Sequence, residues 1–200
     1  MNNYKVIALI GKAGAGKDYL LQQIKKYENP EKINIIVSNT TRPMRDNEKQ
    51  DEHYHFLTFS DFSPRTYIET THYNVYNENN RMETWFYGTE ESALDKNKVN
   101  IGVFNVDGVE QLINKKYIDL SIFNIFATDR LRLERQLKRD NNCSITEICR
   151  RWLKDEEDFK EIQNFPYVDL YNSLKVETLQ ALNYISTTIS RLYDDLDRMN

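Results

Sequence analysis

The segment 7–24, which reads IALIGKAGAGKDYLLQQI, constrains the fold of this chain more than any other stretch. Its apolar start is typical of a buried parallel strand, and the residues after the lysine carry an apolar helical face. Between strand and helix the chain fits the pattern G-x-x-x-x-G-K through Gly11, Gly14, Gly16 and Lys17. Glycines allow backbone amides to turn towards phosphate oxygens, and the helix adds the positive end of its dipole. The segment therefore predicts a phosphate-binding loop in which Lys17 bridges the terminal phosphates, rather than an ordinary glycine-rich turn.

The residue after the lysine departs from that pattern. Such loops place Ser or Thr there to ligate magnesium, whereas this chain has Asp18. A carboxylate is also a hard oxygen ligand for Mg²⁺, which makes Asp18 a candidate metal ligand. An acidic residue is also favoured in the first turn of a helix. Asp18 could therefore be a metal ligand or only a residue that complements the helix dipole, and both interpretations stay open.

The composition indicates one globular domain, residues 1–200. The chain is 40% hydrophobic and 29% charged, with a formal net charge of −4 that argues against broad nucleic-acid binding. Its two cysteines, Cys143 and Cys149, lack metal-ligand spacing and favour a reducing compartment. The opening MNNYKVIALIG is too short an apolar run for a signal peptide or a membrane span. We expect a cytoplasmic monomer or homodimer without nucleic-acid or membrane partners.

Strands alternate with helices along the chain, which predicts an α/β fold with a parallel sheet. Buried strands are predicted at 4–10, 33–37, 99–106 and 119–126, and a shorter one at 167–171. Segments 53–57 and 66–70 are predicted as short strands of a small additional sheet, followed by a polar, hairpin-like insertion. A basic helix is predicted at 130–140.

A second motif lies in the polar segment 38–56, SNTTRPMRDNEKQDEHYHF. Arg42 and Arg45 lie three residues apart, and two guanidinium groups can clamp one phosphate through paired hydrogen bonds. The hydroxyl of Tyr54 can add a third donor. A solvated charged loop is the alternative for a segment of this composition.

This segment resembles the guanylate kinase family. The matching positions are Ser38, Thr40, Thr41, Arg42, Arg45, Glu48, Tyr54 and Phe56. Further resemblances follow in order and cover about residues 5–172: YIE at 67–69, YGT at 87–89, FNVDGVEQL at 104–112, RQLKR at 135–139 and EICRRW at 147–152.

The resemblance implies a P-loop NTPase-type parallel sheet flanked by helices, with a small mixed acceptor-binding subdomain at about 38–89 and a helical lid at about 129–151. It implies transfer of the ATP γ-phosphoryl group to GMP or dGMP, with Mg²⁺. Guanine presents N1–H and N2–H₂ donors on one edge, which carboxylates can accept, and its O6 suits a hydroxyl donor.

The resemblance also implies roles for individual residues. Arg42, Arg45, Tyr54 and Tyr87 would hold the acceptor phosphate, with Glu48 in the same motif. Guanine would be read by Ser38, Glu69, Thr89 and Asp107. ATP would be bound by Gly11, Ala13, Gly14, Ala15, Gly16, Lys17, Asp18, Arg135 and Asn172. The catalytic cations would be Lys17, Arg42, Arg139 and Arg151.

Three departures from the family pattern leave alternatives open. Asp18 replaces the loop hydroxyl, Asn105 replaces the first Asp of the family's D-I-D, and the link between Glu69 and Tyr87 is several residues longer. A carboxylate gained at 18 and lost at 105 would leave the charge of the metal site unchanged. The alternatives are a kinase of another acceptor, such as dTMP, another deoxynucleotide or ribose bisphosphate, and a guanylate-kinase-like binding module that has lost catalysis.

Overall fold

The computed structural model describes residues 3–45, 48–63, 65–76, 81–139 and 145–198. For Arg139 it describes the backbone only. The helices are α1 Lys17–Tyr27, α2 Phe59–Phe62, α3 Val106–Ile113, α4 Asp129–Arg139, α5 Ile145–Asp158 and α6 Lys175–Asp197. The strands are β1 Tyr4–Ile10, β2 Ile33–Ile35, β3 Asn39–Thr40, β4 His55–Phe56, β5 Tyr67–Tyr76, β6 Met82–Glu90, β7 Val99–Val103, β8 Ile118–Phe126 and β9 Val168–Tyr171.

A five-stranded parallel sheet forms the centre, in the order β2-β7-β1-β8-β9. Strand β1 is almost entirely buried because both of its faces are covered. Ile7 and Leu9 pack in one core with residues of α1 and α6, whereas Val6 and Ala8 pack in a second core with α3. Helices on both faces explain why the strand is a continuous apolar run instead of an alternating one. The predicted fold class is confirmed.

A second, four-stranded sheet has the order β4-β3-β6-β5 and contains both parallel and antiparallel pairs. The prediction of a short strand at 66–70 was incomplete, because β5 runs to Tyr76 and pairs with β6 along nearly its whole length. Polar residues between the aromatic and β-branched ones hid this strand in the sequence. Within β5, Glu69, Thr71 and Tyr73 share one face, as the two-residue period of a strand requires.

The elements that carry the predicted site meet at the carboxyl ends of the central strands. The phosphate loop follows β1, α3 follows β7, and α4 follows β8. This is the edge at which open α/β sheets bind ligands. None of the helices in the described ranges is both long and apolar enough to cross a membrane.

Candidate active site

The phosphate loop joins the buried end of β1 to α1, as predicted. Gly14 has φ +80° and Gly16 has φ +96°, in the left-handed region that favours glycine. A β-carbon at Gly14 would lie 2.5 Å from the carbonyl oxygen of Arg132, so only glycine fits there. The Lys17 ammonium lies inside the loop and donates to the carbonyl oxygen of Gly11 at 2.5 Å. The loop thus has the conformation and the cation that a phosphate site requires.

Two of the predicted ATP-binding residues hold the loop through its backbone. The Arg135 guanidinium donates to the carbonyl oxygens of Gly14 (3.2 Å) and Ala15 (3.0 Å), and also to that of Asn172 (2.8 Å). The Asn172 amide donates to Ala15 at 2.8 Å and accepts from the hydroxyl of Thr178 at 2.7 Å. Arg135 and Asn172 also line a cavity of about 830 Å³ between α1 and α6, next to Gly16.

Arg42 forms a buried ion pair with Glu48 in the predicted acceptor motif. Two parallel hydrogen bonds of 2.8 and 2.9 Å join the guanidinium to the carboxylate, and the residues are 4% and 8% exposed. The guanidinium also lies over the rings of Tyr54 and Phe56. Burial acts to raise the pKa of Glu48, but hydrogen bonds from Arg42 and from the backbone N–H of Arg45 lower that pKa overall. The pair therefore fixes the orientation of the Arg42 guanidinium.

At the predicted base-reading end, three side chains form a hydrogen-bonded row. Thr89 donates to a carboxylate oxygen of Glu69 at 2.6 Å, and its hydroxyl oxygen lies 2.8 Å from that of Ser38. When Glu69 is ionised, the Thr89 proton is used on its carboxylate, and Ser38 is then the donor in its bond with Thr89. Burial raises the pKa of Glu69 above its usual value, although the bonds from Thr89 act against the shift. Asp107 is exposed in the first turn of α3.

One cavity of about 270 Å³ joins these parts of the chain. The predicted site residues that line it are Gly11, Ala13, Lys17, Ser38, Arg45, Tyr54, Glu69, Tyr87 and Arg151. The loop, the small sheet and α5 thus surround the same space. Arg151 reaches the cavity while donating to Glu147 at 2.7 Å. The side chain of Arg139 lies outside the described part of the structure.

The two unusual residues at the predicted metal site differ in their surroundings. Asp18 lies in the first turn of α1; burial raises the pKa of Tyr54, and the charge of Asp18 adds to that shift. Asn105 caps α3 by accepting from the Gly108 N–H at 2.7 Å, and its amide donates to the Tyr73 hydroxyl at 2.8 Å. Among the described residues, no group of three His, Cys, Asp or Glu side chains is placed to hold a metal ion. Asp18 therefore fits Mg²⁺ only as one ligand beside the phosphates of a bound nucleotide.

Sequence reasoning missed several residues that reach the cavity or the loop. Tyr73, Trp85, Arg150 and Asp155 line the cavity, and Arg132 bonds the loop from α4. The alternation in TTHYNVY was the available signal for Tyr73, since it places residues 69, 71 and 73 on one strand face. Nothing in the local sequence distinguishes Arg132 or Asp155 from the neighbouring charged residues.

A sequence model described as Guanylate kinase matches residues 3–186. The chain belongs to the guanylate kinase family. A guanylate kinase of Campylobacter jejuni (strain RM1221) is 29% identical to it over 186 residues, which cover 90% of this chain and 86% of that protein. One of Helicobacter hepaticus is 26% identical over 208 residues and covers 100% of this chain and 97% of that protein.

The fold agrees with this membership. The crystal structure of guanylate kinase from Anaplasma phagocytophilum is similar with a TM-score of 0.59 and 17% identity, over 96% of this chain and 88% of that one. The relatives named above are guanylate kinases, which are ATP-dependent nucleoside monophosphate kinases, so the predicted enzyme class is confirmed. The alternatives, a kinase of an unrelated acceptor and a module without catalysis, are not favoured by these relatives.

Proposed function

We propose that the protein transfers the γ-phosphoryl group of ATP to GMP or dGMP, with Mg²⁺, and that the residues predicted from the family motifs carry out this reaction. The observation that supports the proposal best is that one cavity reaches from the phosphate loop to Ser38 and Glu69 of the hydrogen-bonded row. A donor phosphate at Lys17 and an acceptor base at Glu69 would face each other across that space.

Phosphoryl transfer depends on positioning and on charge stabilisation more than on covalent chemistry. In this proposal Lys17 and the loop amides hold the ATP phosphates, while Arg45 and the Tyr54 and Tyr87 hydroxyls hold the acceptor phosphate beside the Arg42–Glu48 pair. Arg139 and Arg151 come from the lid side and neutralise the group in transfer. Mg²⁺ would be held next to Asp18 and would neutralise charge on the phosphates when bound.

The base is the second half of the proposal. In the row, Ser38 donates to Thr89 and Thr89 donates to Glu69, so both hydroxyl protons are already used within the site. An incoming base therefore meets oxygen acceptors first, and Ser38 would donate to guanine O6 only after its hydroxyl turns away from Thr89. The N1–H and N2–H₂ groups of guanine supply donors to such a surface, whereas adenine offers an acceptor at N1. We propose Asp107, exposed at the start of α3, as the second carboxylate for this edge.

The proposal keeps the cytoplasmic location and the monomeric or homodimeric state expected from the sequence. A net charge of −4 supports small nucleotides, held at local cationic sites, over nucleic acids as partners.

The test is an assay of ADP release with GMP, dGMP, dTMP, AMP and ribose bisphosphate as acceptors. GMP or dGMP should give the highest kcat/KM. Lys17→Met should lower kcat at least about a hundredfold, the effect of losing one preorganised charge donor, whereas Lys25→Met, an exposed lysine of the same helix, should not. Wild-type protein that phosphorylates no monophosphate would refute the proposal.

A further inference from the structure

The first half of the phosphate loop is held from two sides by α4 and α5. The backbone N–H of Ala13 donates to Asp155 of α5 at 2.7 Å. The carbonyl oxygen of Ala13 accepts from the Arg132 Nε at 3.0 Å and from the Gln136 amide at 3.3 Å, both on α4. The peptide groups on both sides of one loop residue are therefore fixed by side chains that lie more than a hundred residues away in sequence.

Arg132 is the centre of this cluster. Only 2% of its surface is exposed, and its other two nitrogens donate to Asp129 at 2.8 Å and to Asp155 at 3.0 Å. Its guanidinium lies 4.3 Å from the centroid of the Trp152 ring. A buried arginine is tolerated when its charge and its hydrogen bonds are satisfied. Here that requirement joins α4, α5 and the loop into one unit.

Asp155 is the member of the cluster that also faces the cavity. The same oxygen, Oδ2, accepts from the Ala13 N–H and from Arg132, and the side chain is 19% exposed. Burial raises the pKa of Asp155, while the Ala13 N–H and the charges of Lys17 and Arg132 act in the opposite direction. The next residue of the helix repeats the link, since Glu156 pairs with Lys12 of the loop at 2.5 Å.

We propose that Asp155 is a positioning residue for ATP binding, which fixes Ala13 of the phosphate loop to α5 with Arg132 of α4 as its partner. A loop with glycines in left-handed conformations has many alternative backbone states, so a fixed anchor lowers the cost of presenting its amides to phosphate. The carboxylate acts through the loop backbone and not by contact with ATP, because two anions do not attract. The inference rests on the proposed function only in taking ATP as the ligand of the loop.

Two substitutions separate this role from a general structural one. Asp155→Asn keeps one carbonyl oxygen, which can accept both bonds that Oδ2 accepts, whereas Asp155→Ala removes the acceptor. Glu157→Ala is the matched control, because Glu157 is an exposed acid of the same helix whose side chain lies 3.6 Å from Lys154. If Asp155→Ala does not fold, Asp155→Ser replaces it, since its shorter side chain does not reach the loop amide.

The experiment is calorimetric titration of each variant with ATP in the absence of any acceptor, followed by KM for ATP and for GMP. Asp155→Ala should weaken ATP binding by about tenfold, the scale of one hydrogen bond to a charged group, while Asp155→Asn and Glu157→Ala stay within about twofold of wild type. KM for GMP should not change.

Unchanged or tighter ATP binding by Asp155→Ala would overturn the proposal, and tighter binding would indicate that the carboxylate competes with phosphate. Equal losses in Asp155→Asn and Asp155→Ala would overturn it too, because the bonding oxygen would then not be the feature that matters. Titration with ATP alone gives a result even if no acceptor is phosphorylated, so failure of this inference is distinguishable from failure of the proposed function.

Discussion

Thr89 donates its hydroxyl proton to Glu69 over 2.6 Å, and this bond joins neighbouring strands β5 and β6 where Glu69 lines the cavity. Glu69 is only 6% exposed, so its carboxylate has exchanged most of its hydration for protein contacts. Burying a charged acceptor is costly unless donors satisfy it. N–H donors of a bound ligand would satisfy this buried carboxylate. Two separate predictions concern Glu69.

The first prediction concerns the acceptor. Glu69→Gln should lower kcat/KM for GMP by about 2–3 kcal/mol in transition-state terms, because a hydrogen bond to a charged acceptor becomes a weaker or repulsive contact. KM for ATP should stay the same, since the loop and Glu69 lie on different sheets. Steady-state kinetics with each nucleotide varied in turn measures both. Glu52→Gln, at an exposed acid, is the control, and full GMP turnover by Glu69→Gln would refute the guanine assignment.

The second prediction concerns stability and pH. Burial is the main cause of the raised pKa of Glu69 in the folded state. At a pH above the unfolded pKa of about 4.5, the folded chain therefore keeps this proton bound more often than the unfolded chain does. Stability contributed by this group is therefore lost as pH rises from about 4.5 through the folded pKa. Glu69→Gln removes that loss and should raise the Tm at pH 7 while leaving it unchanged near pH 4. If Glu69→Gln has a lower Tm than wild type at pH 7, the predicted upward shift of the Glu69 pKa is contradicted.

The sequence predicted the parts of the site that are local or follow a family motif. The phosphate loop could be predicted because glycine spacing, strand and helix lie within one short segment. Glu69 and Thr89 could be predicted only through the resemblance, since a carboxylate and a hydroxyl twenty residues apart carry no local signal. Their direct hydrogen bond follows from the pairing of β5 with β6.

The contacts that join the loop to α4 and α5 could not be predicted. Arg132 lies in a helix with several other cations. It is buried because the tertiary fold packs Trp152, Asp155 and the loop around it. The same holds for the bond between Tyr73 and Asn105, which joins the small sheet to the end of β7. These are tertiary relationships, whereas charge and periodicity report only on neighbours in the chain.

The third prediction concerns the Arg42–Glu48 ion pair. Glu48→Ala should lower the free energy of unfolding by about 3–5 kcal/mol, because it leaves a buried guanidinium without its carboxylate. The double variant Arg42→Met/Glu48→Leu should cost less than Glu48→Ala, since it leaves no unpaired charge. Urea unfolding monitored by circular dichroism measures all three proteins. Glu52→Ala, which breaks the exposed pair with Lys49, should change stability by at most about 1 kcal/mol.

The same pair predicts a pH dependence of the opposite sign to that of Glu69. Because the pKa of Glu48 is lowered in the fold, its contribution is present above the unfolded value of 4.5 and is lost as pH falls through the folded pKa. The stability difference between wild type and Glu48→Ala should therefore shrink below about pH 4.5. A difference that is constant down to pH 3 would show that packing, and not the ion pair, accounts for it.

The last prediction concerns Asp18 and magnesium. We expect Asp18 to lie beside Mg²⁺ in the nucleotide complex, directly or through one water, because it follows the loop lysine in the first turn of α1 and a carboxylate is a hard oxygen ligand. Asn105 is a weaker candidate, since Tyr73 and Gly108 bond its two amide atoms. Asp18→Ala should raise the Mg²⁺ concentration needed for half-maximal rate by about tenfold, more than it raises KM for ATP at saturating metal.

Asp18→Ser is the informative companion variant, because it returns the hydroxyl that phosphate loops ordinarily place after the lysine. It should restore part of the magnesium response that Asp18→Ala loses, and initial rates across a Mg²⁺ titration at fixed ATP compare the three proteins. The competing explanation is that Asp18 only complements the dipole of α1. In that case Asp18→Ala would lower stability by about 0.3–1 kcal/mol and leave the magnesium dependence untouched, which would remove Asp18 from the metal site.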